Sequence, residues 1–211
     1  MTEPDDEIEE SAAAAGRPYH HGDLRAALVE SAIRILREQG PEGLTLRGVA
    51  RAAGVSQAAP YRHFADRRAL VAAVAERGFE HMGATMMAAM QQNGGKAGLR
   101  GVARAYVRFG VDHPAEYRIM FGPELARTDD LPSLRETSRG VLAGVQRAIE
   151  GLQAAGVIGP GDAASIAVVT WSMLHGLVML HLDGQTDSLD RNIDQLVEQS
   201  TELMMWGMAP R

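Results

Sequence analysis

A chain of 211 residues, 45% of them hydrophobic, is long enough to bury a sizeable core, as one large domain or a small one joined to a larger one. It has no cysteine, which excludes disulfides, thiolate metal sites and cysteine nucleophiles. The net charge of −6 argues against a nucleic-acid partner only until it is divided along the chain: residues 1–16 carry six acids and no base, residues 17–77 ten arginines against six acids, and residues 78–211 eleven bases against fifteen acids. A basic segment between two acidic ones is the distribution expected where one part alone touches phosphate.

Residues 1–16, with "DDEIEE" and "SAAAAG", show no helix-period core pattern and read as a disordered acidic tail. No apolar run follows it, so it does not read as a secretory signal. No stretch is expected to reach the roughly 18 apolar residues of a membrane span, and a soluble cytoplasmic protein is the expectation. From Asp23, residues Leu24, Leu28, Ile35 and Leu36 recur at helical steps until "EQGPEG", where Gly40 and Pro41 stop the run.

Three short pieces follow in "LTLRGVARAAGVSQAAPYRHFADRRALVAAV". Thr45 is placed to cap a helix that carries Leu46, Val49 and Ala50 inward and Arg47 and Arg51 outward. Gly54 ends that helix, Ser56 is placed to cap the next piece, and Asp66 a third that carries Leu70, Val71 and Val74. The three- or four-residue glycine turn between the first two is the helix-turn-helix signature. In the middle piece, "SQAAPYRHF", a helix puts Pro60 and Phe64 on one face and Gln57, Ala58, Tyr61 and Arg62 on the adjoining one. Pro60 removes a backbone donor, so a distorted or late-starting first turn is expected. An outward tyrosine and arginine on so short a helix need a partner, and a DNA major groove supplies one.

The body that follows has almost no strand signal. Turn residues at 93–98, 112–114, 122–132, 156–162 and 183–190 divide it into five or six helices. "SIAVVTWSMLHGLVMLHL" (165–182) is apolar nearly all round, so one face is expected against its own domain and the other against a second copy. The last helix, about Asp190 to Met208, carries Ile193, Leu196, Val197 and Leu203 for a similar purpose.

The run from Leu44 to Leu70 resembles the TetR family of bacterial transcriptional regulators: a threonine-led helix, Gly54-Val55-Ser56, then Tyr61, Phe64 and a basic residue. The position of Pro60 is more often leucine or isoleucine in that family. The resemblance implies that Thr45 and Tyr61 hold phosphates, that His63 and Arg67 flank them, and that Gln57, Ala58 and Arg62 face bases. Arg47 and Ser56 belong to the same surface, and Arg17, His20 and His21 would form an arm beside the duplex. Thr45 and Ser56 are first of all caps, so a phosphate contact is an added role. A metal at the two adjacent histidines lacks the further ligands it needs. The Trp171, His175, Gly176 spacing resembles a C-terminal ligand-binding domain found in a subset of the same family, and "HPAEYRIMFGPEL" looks like another part of it.

These readings imply an all-α chain of about nine helices: a three-helix helix-turn-helix domain at 17–75 and a ligand-binding and dimerisation bundle at 76–211. The candidate ligand-lining residues are Met86, Met90, Tyr106, Phe109, Tyr117, Met120, Phe121, Trp171, Met173 and His175. Each also reads as ordinary core, but as a group they suit an apolar cavity between helices. The expected function is a homodimeric repressor, paired through its last two helices, that binds a palindromic operator in double-stranded DNA and is released by a small, mainly apolar effector. Ligand-independent repression or activation is an alternative. An all-α enzyme using His175 with Asp183 or Glu202 is another, with no catalytic, metal or cofactor motif behind it.

Overall fold

The computed structural model describes residues 21–190 and 192–207, the side chains of residues 21–23 and 206 excepted. Among these residues the fold is all helical: α1 (His21–Gln39), α2 (Leu46–Ala52), α3 (Arg67–Asn93), α4 (Gly95–Asp112), α5 (Pro114–Met120), α6 (Pro132–Ala154), α7 (Ala163–Leu182) and α8 (Ile193–Gly207). The expected residues Arg17 and His20 lie outside the described region, as does the side chain of His21.

Local chemistry sets most boundaries. Gly40 (φ +73°) ends α1 and hands the chain to a short 3-10 turn, Pro41–Gly43. Thr45 caps α2, its Oγ1 accepting from the Gly48 amide at 3.0 Å. Asp66 caps α3 through the Ala69 amide at 2.8 Å, and Asp162 caps α7 through the Ser165 amide at 2.9 Å. All five expected breaks in the body separate helices or, at 122–132, hold a 3-10 turn, Pro123–Leu125.

Among the described residues there are eight α-helices where about nine were expected, because residues 56–64 do not form an α-helix. They form a turn followed by a 3-10 segment, Pro60–Arg62. The cause is Pro60, which has no N–H to give the Ser56 carbonyl; the Ala59 amide takes that carbonyl instead at 3.0 Å. The cap expected from the Ser56 hydroxyl is thereby replaced by its carbonyl. Ala59 nonetheless keeps helical angles (φ −61°, ψ −44°), against the usual bias before proline. The Pro60 carbonyl then accepts from both the His63 and Phe64 amides at 2.9 Å, closing a compact turn.

One core runs the length of the molecule. In the head, Leu28 and Leu36 of α1, Val49 of α2, Phe64 after the turn and Leu70, Val71 and Val74 of α3 are buried together. Full burial of each such side chain stabilises the fold by roughly 1.5–3 kcal/mol relative to exposure. The core continues along α3 past Phe79, Met82 and Met86 to Tyr106, Val107 and Tyr117. The 27 residues of α3 are unbroken from the head into the body, so the two parts share a rigid element instead of a linker. A smaller cluster, Ile149, Leu152, Ile158, Ala163 and Ala167, joins the end of α6 to the start of α7.

Helix α7 is long and apolar enough to cross a bilayer by length and composition alone (mean hydropathy 1.7), which the sequence pattern did not lead us to expect. It is a packed member of the bundle, burying Ala163, Ala167, Leu174 and Val178. Its other face leaves Val168, Val169, Met173 and Leu180 exposed, so within one chain only one face is covered.

Candidate nucleic-acid interface and interhelical cavity

The turn at 56–64 separates two kinds of residue. Pro60 and Phe64 are buried, while Ser56, Gln57, Ala58, Tyr61 and Arg62 are exposed, Tyr61 by 53%. A tyrosine half in water, with small or polar neighbours, is a group waiting for a contact. Thr45 and Arg47 at the start of α2 are exposed as well, and His63 is half-buried beside Phe64. The Thr45 hydroxyl uses one oxygen lone pair for its cap and keeps its O–H to donate.

Arg67 is differently placed. Its Nε donates to the Leu44 carbonyl at 2.9 Å, its Nη2 to the Pro41 carbonyl at 2.8 Å and its Nη1 to Glu124 Oε1 at 2.5 Å. The guanidinium expected beside a phosphate is thus bound inside the chain, tying α3 to the turn after α1 and to the α5–α6 connection. Arg68, which sequence reasoning missed, makes a parallel tie to the Asp130 carboxylate and the Arg127 carbonyl. Nothing in the local pattern distinguishes these arginines from solvated ones.

In the body, α3, α4, α5, α6 and α7 line a half-open cavity of about 310 Å³. Of the expected lining residues, Met86, Tyr106, Met120, Phe121 and Trp171 face it. Met90 lines a neighbouring cavity of about 280 Å³ together with Met86. Phe109 lies on a third cavity, between α1, α3 and α5, with Arg37, His81 and Glu116. Met173 points to the outer surface. The α6 contribution, Leu134, Ser138, Val141, Leu142 and Val145, was missed, although its three-, four- and seven-residue spacing marks one helix face. Leu125 and Thr128 of the α5–α6 connection also line the cavity, so the segment held by Arg67 and Arg68 is part of its wall.

Tyr117 and His175 stand behind that wall in a polar chain. Trp171 Nε1 donates to Tyr106 Oη at 2.9 Å, the Tyr106 and Tyr117 hydroxyls are 2.8 Å apart, and Tyr117 Oη lies 2.7 Å from His175 Nδ1. One assignment gives each link a donor and an acceptor: Tyr106 donates to Tyr117, and Tyr117 donates to Nδ1 of a neutral His175 protonated at Nε2. Burial supports it, raising Tyr106 to about 12 and Tyr117 further still, and lowering His175 from its ordinary value. No carboxylate takes part in this chain: Asp183, one acid considered for an enzymatic role, pairs with Arg118 at 2.6 Å.

A second polar cluster joins head to body. Arg37 of α1 donates to the buried Glu116 of α5 through Nε at 2.7 Å and lies 3.3 Å from His113 Nδ1. The His81 ring stands 5.1 Å from that of His113. Burial, then His113, Arg77 and Arg37, lower the His81 pKa, with Glu116 opposing them.

Comparison with known proteins agrees with this geometry. Residues 28–74 match the family model described as bacterial regulatory proteins, tetR family, and residues 99–204 match the tetracyclin repressor-like C-terminal domain. The tetracycline repressor protein class C of Escherichia coli is 46% identical over 52 residues, 25% of this chain and 24% of that one, so the likeness spans only about a quarter of that relative. A solved structure of a protein of unknown function from Rhodococcus sp. RHA1 is 36% identical, with a TM-score of 0.81 over 92% of this chain and all of that one. A TetR family transcription regulator from Marinobacter aquaeolei VT8, 19% identical with a TM-score of 0.67 over 89% and 96% of the two chains, shares the fold. With both of its parts matched, the chain belongs to the TetR family of DNA-binding transcriptional regulators.

Proposed function

We propose that the protein is a homodimeric repressor whose paired heads enter successive major grooves of a palindromic operator and leave it when a small, mainly apolar effector fills the cavity. As a regulator of transcription, it works in the cytoplasm. The observation that carries this reading is a physical connection: the α5–α6 segment that lines the cavity through Leu125 and Thr128 is held by Arg67 and Arg68 at the start of α3, directly after the exposed turn. A ligand that moves this segment therefore acts on the orientation of the head, by as much as its affinity differs between the two arrangements.

Tyr61, Gln57, Ala58 and Arg62 are the candidates for the groove, with Thr45, Arg47 and His63 toward the backbone. Arg67 serves better as a tie than as a phosphate ligand, since three of its donors are engaged. Dimerisation is assigned to α7 and α8, where Val169, Leu180 and Leu203 are 64%, 52% and 66% exposed. Apolar side chains at that exposure on two adjacent helices suit a two-fold interface. The Nδ1 of His175 is taken up by tyrosine hydroxyls, and among the described residues no carboxylate joins that chain, which favours a regulator over an enzyme.

The test is binding to duplex fragments of the source genome at low salt, followed by footprinting. A protected site with two-fold symmetry is expected. Tyr61→Ala and Arg62→Ala should each weaken binding, by about 1–3 kcal/mol where the side chain reads a base edge. Unaltered binding by both variants would refute the assigned surface. Operator release by lipophilic compounds that also raise the melting temperature separates the inducible reading from ligand-independent regulation.

A further inference from the structure

The central cavity and its neighbour adjoin as a first and a second lobe. They share five walls, Phe79, Met86, Val102, Val141 and Val145. Alone, the first lobe (about 310 Å³) is at the lower limit for a drug-sized ligand, whereas the pair lies well inside the usual range of roughly 300–1,000 Å³. Resting on the reading of an effector-controlled regulator, we infer that the effector is a single unbranched apolar chain with one anionic head, lying across both lobes.

The boundary between the lobes bears on the shape. Met86, Val141 and Val145 line both lobes and so stand between them. Beside them α3 and α6 are close: a Cβ on Gly83, which lines the second lobe, would sit 3.1 Å from Val141 Cγ2. A ligand that reaches both lobes runs between these side chains, and an alkyl chain displaces them least, since the flexible Met86 can turn aside. Beyond it, the second lobe is lined by Leu99, Met90, Ala84 and Ala148 and by Gly140 and Gly144 of α6. A Cβ at Gly140 would meet nothing within 4 Å, and one at Gly144 only the end of Arg147 at 3.9 Å. The wall at those two positions is therefore bare backbone, with room for methylenes against it.

The head belongs at the other part of the first lobe, where Thr128, Ser138 and Arg139 line the wall not shared with the second. Arg135 and Arg68 are paired with Asp129 and Asp130, while Arg139 meets no carboxylate within 4 Å among the described residues. Residue Arg139 is exposed, so an anion held there stays partly hydrated and avoids the cost of burying a charge. The second lobe also has an arginine, Arg147, but Glu80, itself 3.5 Å from Arg77, lines the same lobe as a competing carboxylate.

The test uses the full-length protein with octanoate, dodecanoate and hexadecanoate as probes. Calorimetry gives Kd, and Trp171 fluorescence in a Trp206→Phe background reports occupancy of the first lobe. Each buried methylene is worth about fourfold in Kd, so hexadecanoate should bind at least tenfold more tightly than dodecanoate. Gly144→Leu, which fills the second lobe and favours the helix, should remove that gain and leave octanoate within twofold. Arg139→Gln should weaken every acid by a similar factor, about fivefold. A flat chain-length profile, or a gain that survives Gly144→Leu, overturns the two-lobed ligand while leaving a ligand-binding first lobe in place. Failure of all three acids to bind overturns the anionic chain itself. The inducible reading is judged separately, by operator release with other lipophilic compounds.

Discussion

Replacing Arg67 distinguishes a tie within the chain from a contact to DNA. Arg67→Ala removes donations to the Leu44 and Pro41 carbonyls and the pair with Glu124. The pair is more than a third exposed on both sides, so it contributes about 0–1 kcal/mol. Leu44 is fully buried, and leaving its carbonyl without this donor costs about 1–3 kcal/mol. The expected loss is therefore about 2 kcal/mol, or roughly 4–8 °C in Tm for a chain of this size. Glu124→Gln, which removes the pair alone, should cost less than about 1 kcal/mol. For DNA, the slope of log Kobs against log[salt] falls by about 0.9 for each phosphate no longer neutralised. Arg67→Ala should lower operator affinity with its salt slope unchanged. A variant of wild-type stability whose slope falls by about 0.9 per head would refute the reasoning, because Arg67 would then be on phosphate.

Three further outcomes follow from the body. Tyr117→Phe removes the middle of the polar chain and leaves Tyr106 and His175 only their longer 3.4 Å contact; urea unfolding should show a loss of about 1–2 kcal/mol, and a loss under about 0.5 kcal/mol would contradict that chain. Gly110→Ala would put a Cβ 2.5 Å from Val178 Cγ1 and 3.2 Å from the Tyr117 ring, so overpacking of about 1–3 kcal/mol should outweigh the gain of about 1 kcal/mol in helix propensity, read as a lower urea midpoint. His175 and His81 both have folded pKa values below the unfolded value of about 6.5, so the unfolded chain takes up protons first. Stability should then be greatest above that pH and fall as the pH drops through it toward the folded values. His175→Gln should reduce the slope of the urea midpoint between pH 7 and 5.5, and an unchanged slope would assign it elsewhere.

Much of the head was legible because its signals are local. Thr45 and Asp66 cap the helices that follow them, and Gly40 and Gly54 take the positive φ their turns require, each within a few residues of the element it bounds. The split of 56–64 into a buried pair and an exposed set follows from turn geometry alone, and it persists although Pro60 turns the expected α-helix into a 3-10 segment. The break points of the body were legible for the same reason.

What required the tertiary structure was every interaction set by how distant helices meet. Whether an arginine reaches out or folds back depends on a carbonyl or carboxylate brought up from elsewhere in the chain, as Leu44 and Glu124 are for Arg67. Likewise, of the aromatics and methionines named as one group, Tyr106 and Trp171 line the cavity, Tyr117 stands behind it and Met173 faces outward. Residue type and period give a helix its apolar face. The angle and spacing at which α3, α6 and α7 pack then decide which part of that face closes on a neighbour and which is left around a void.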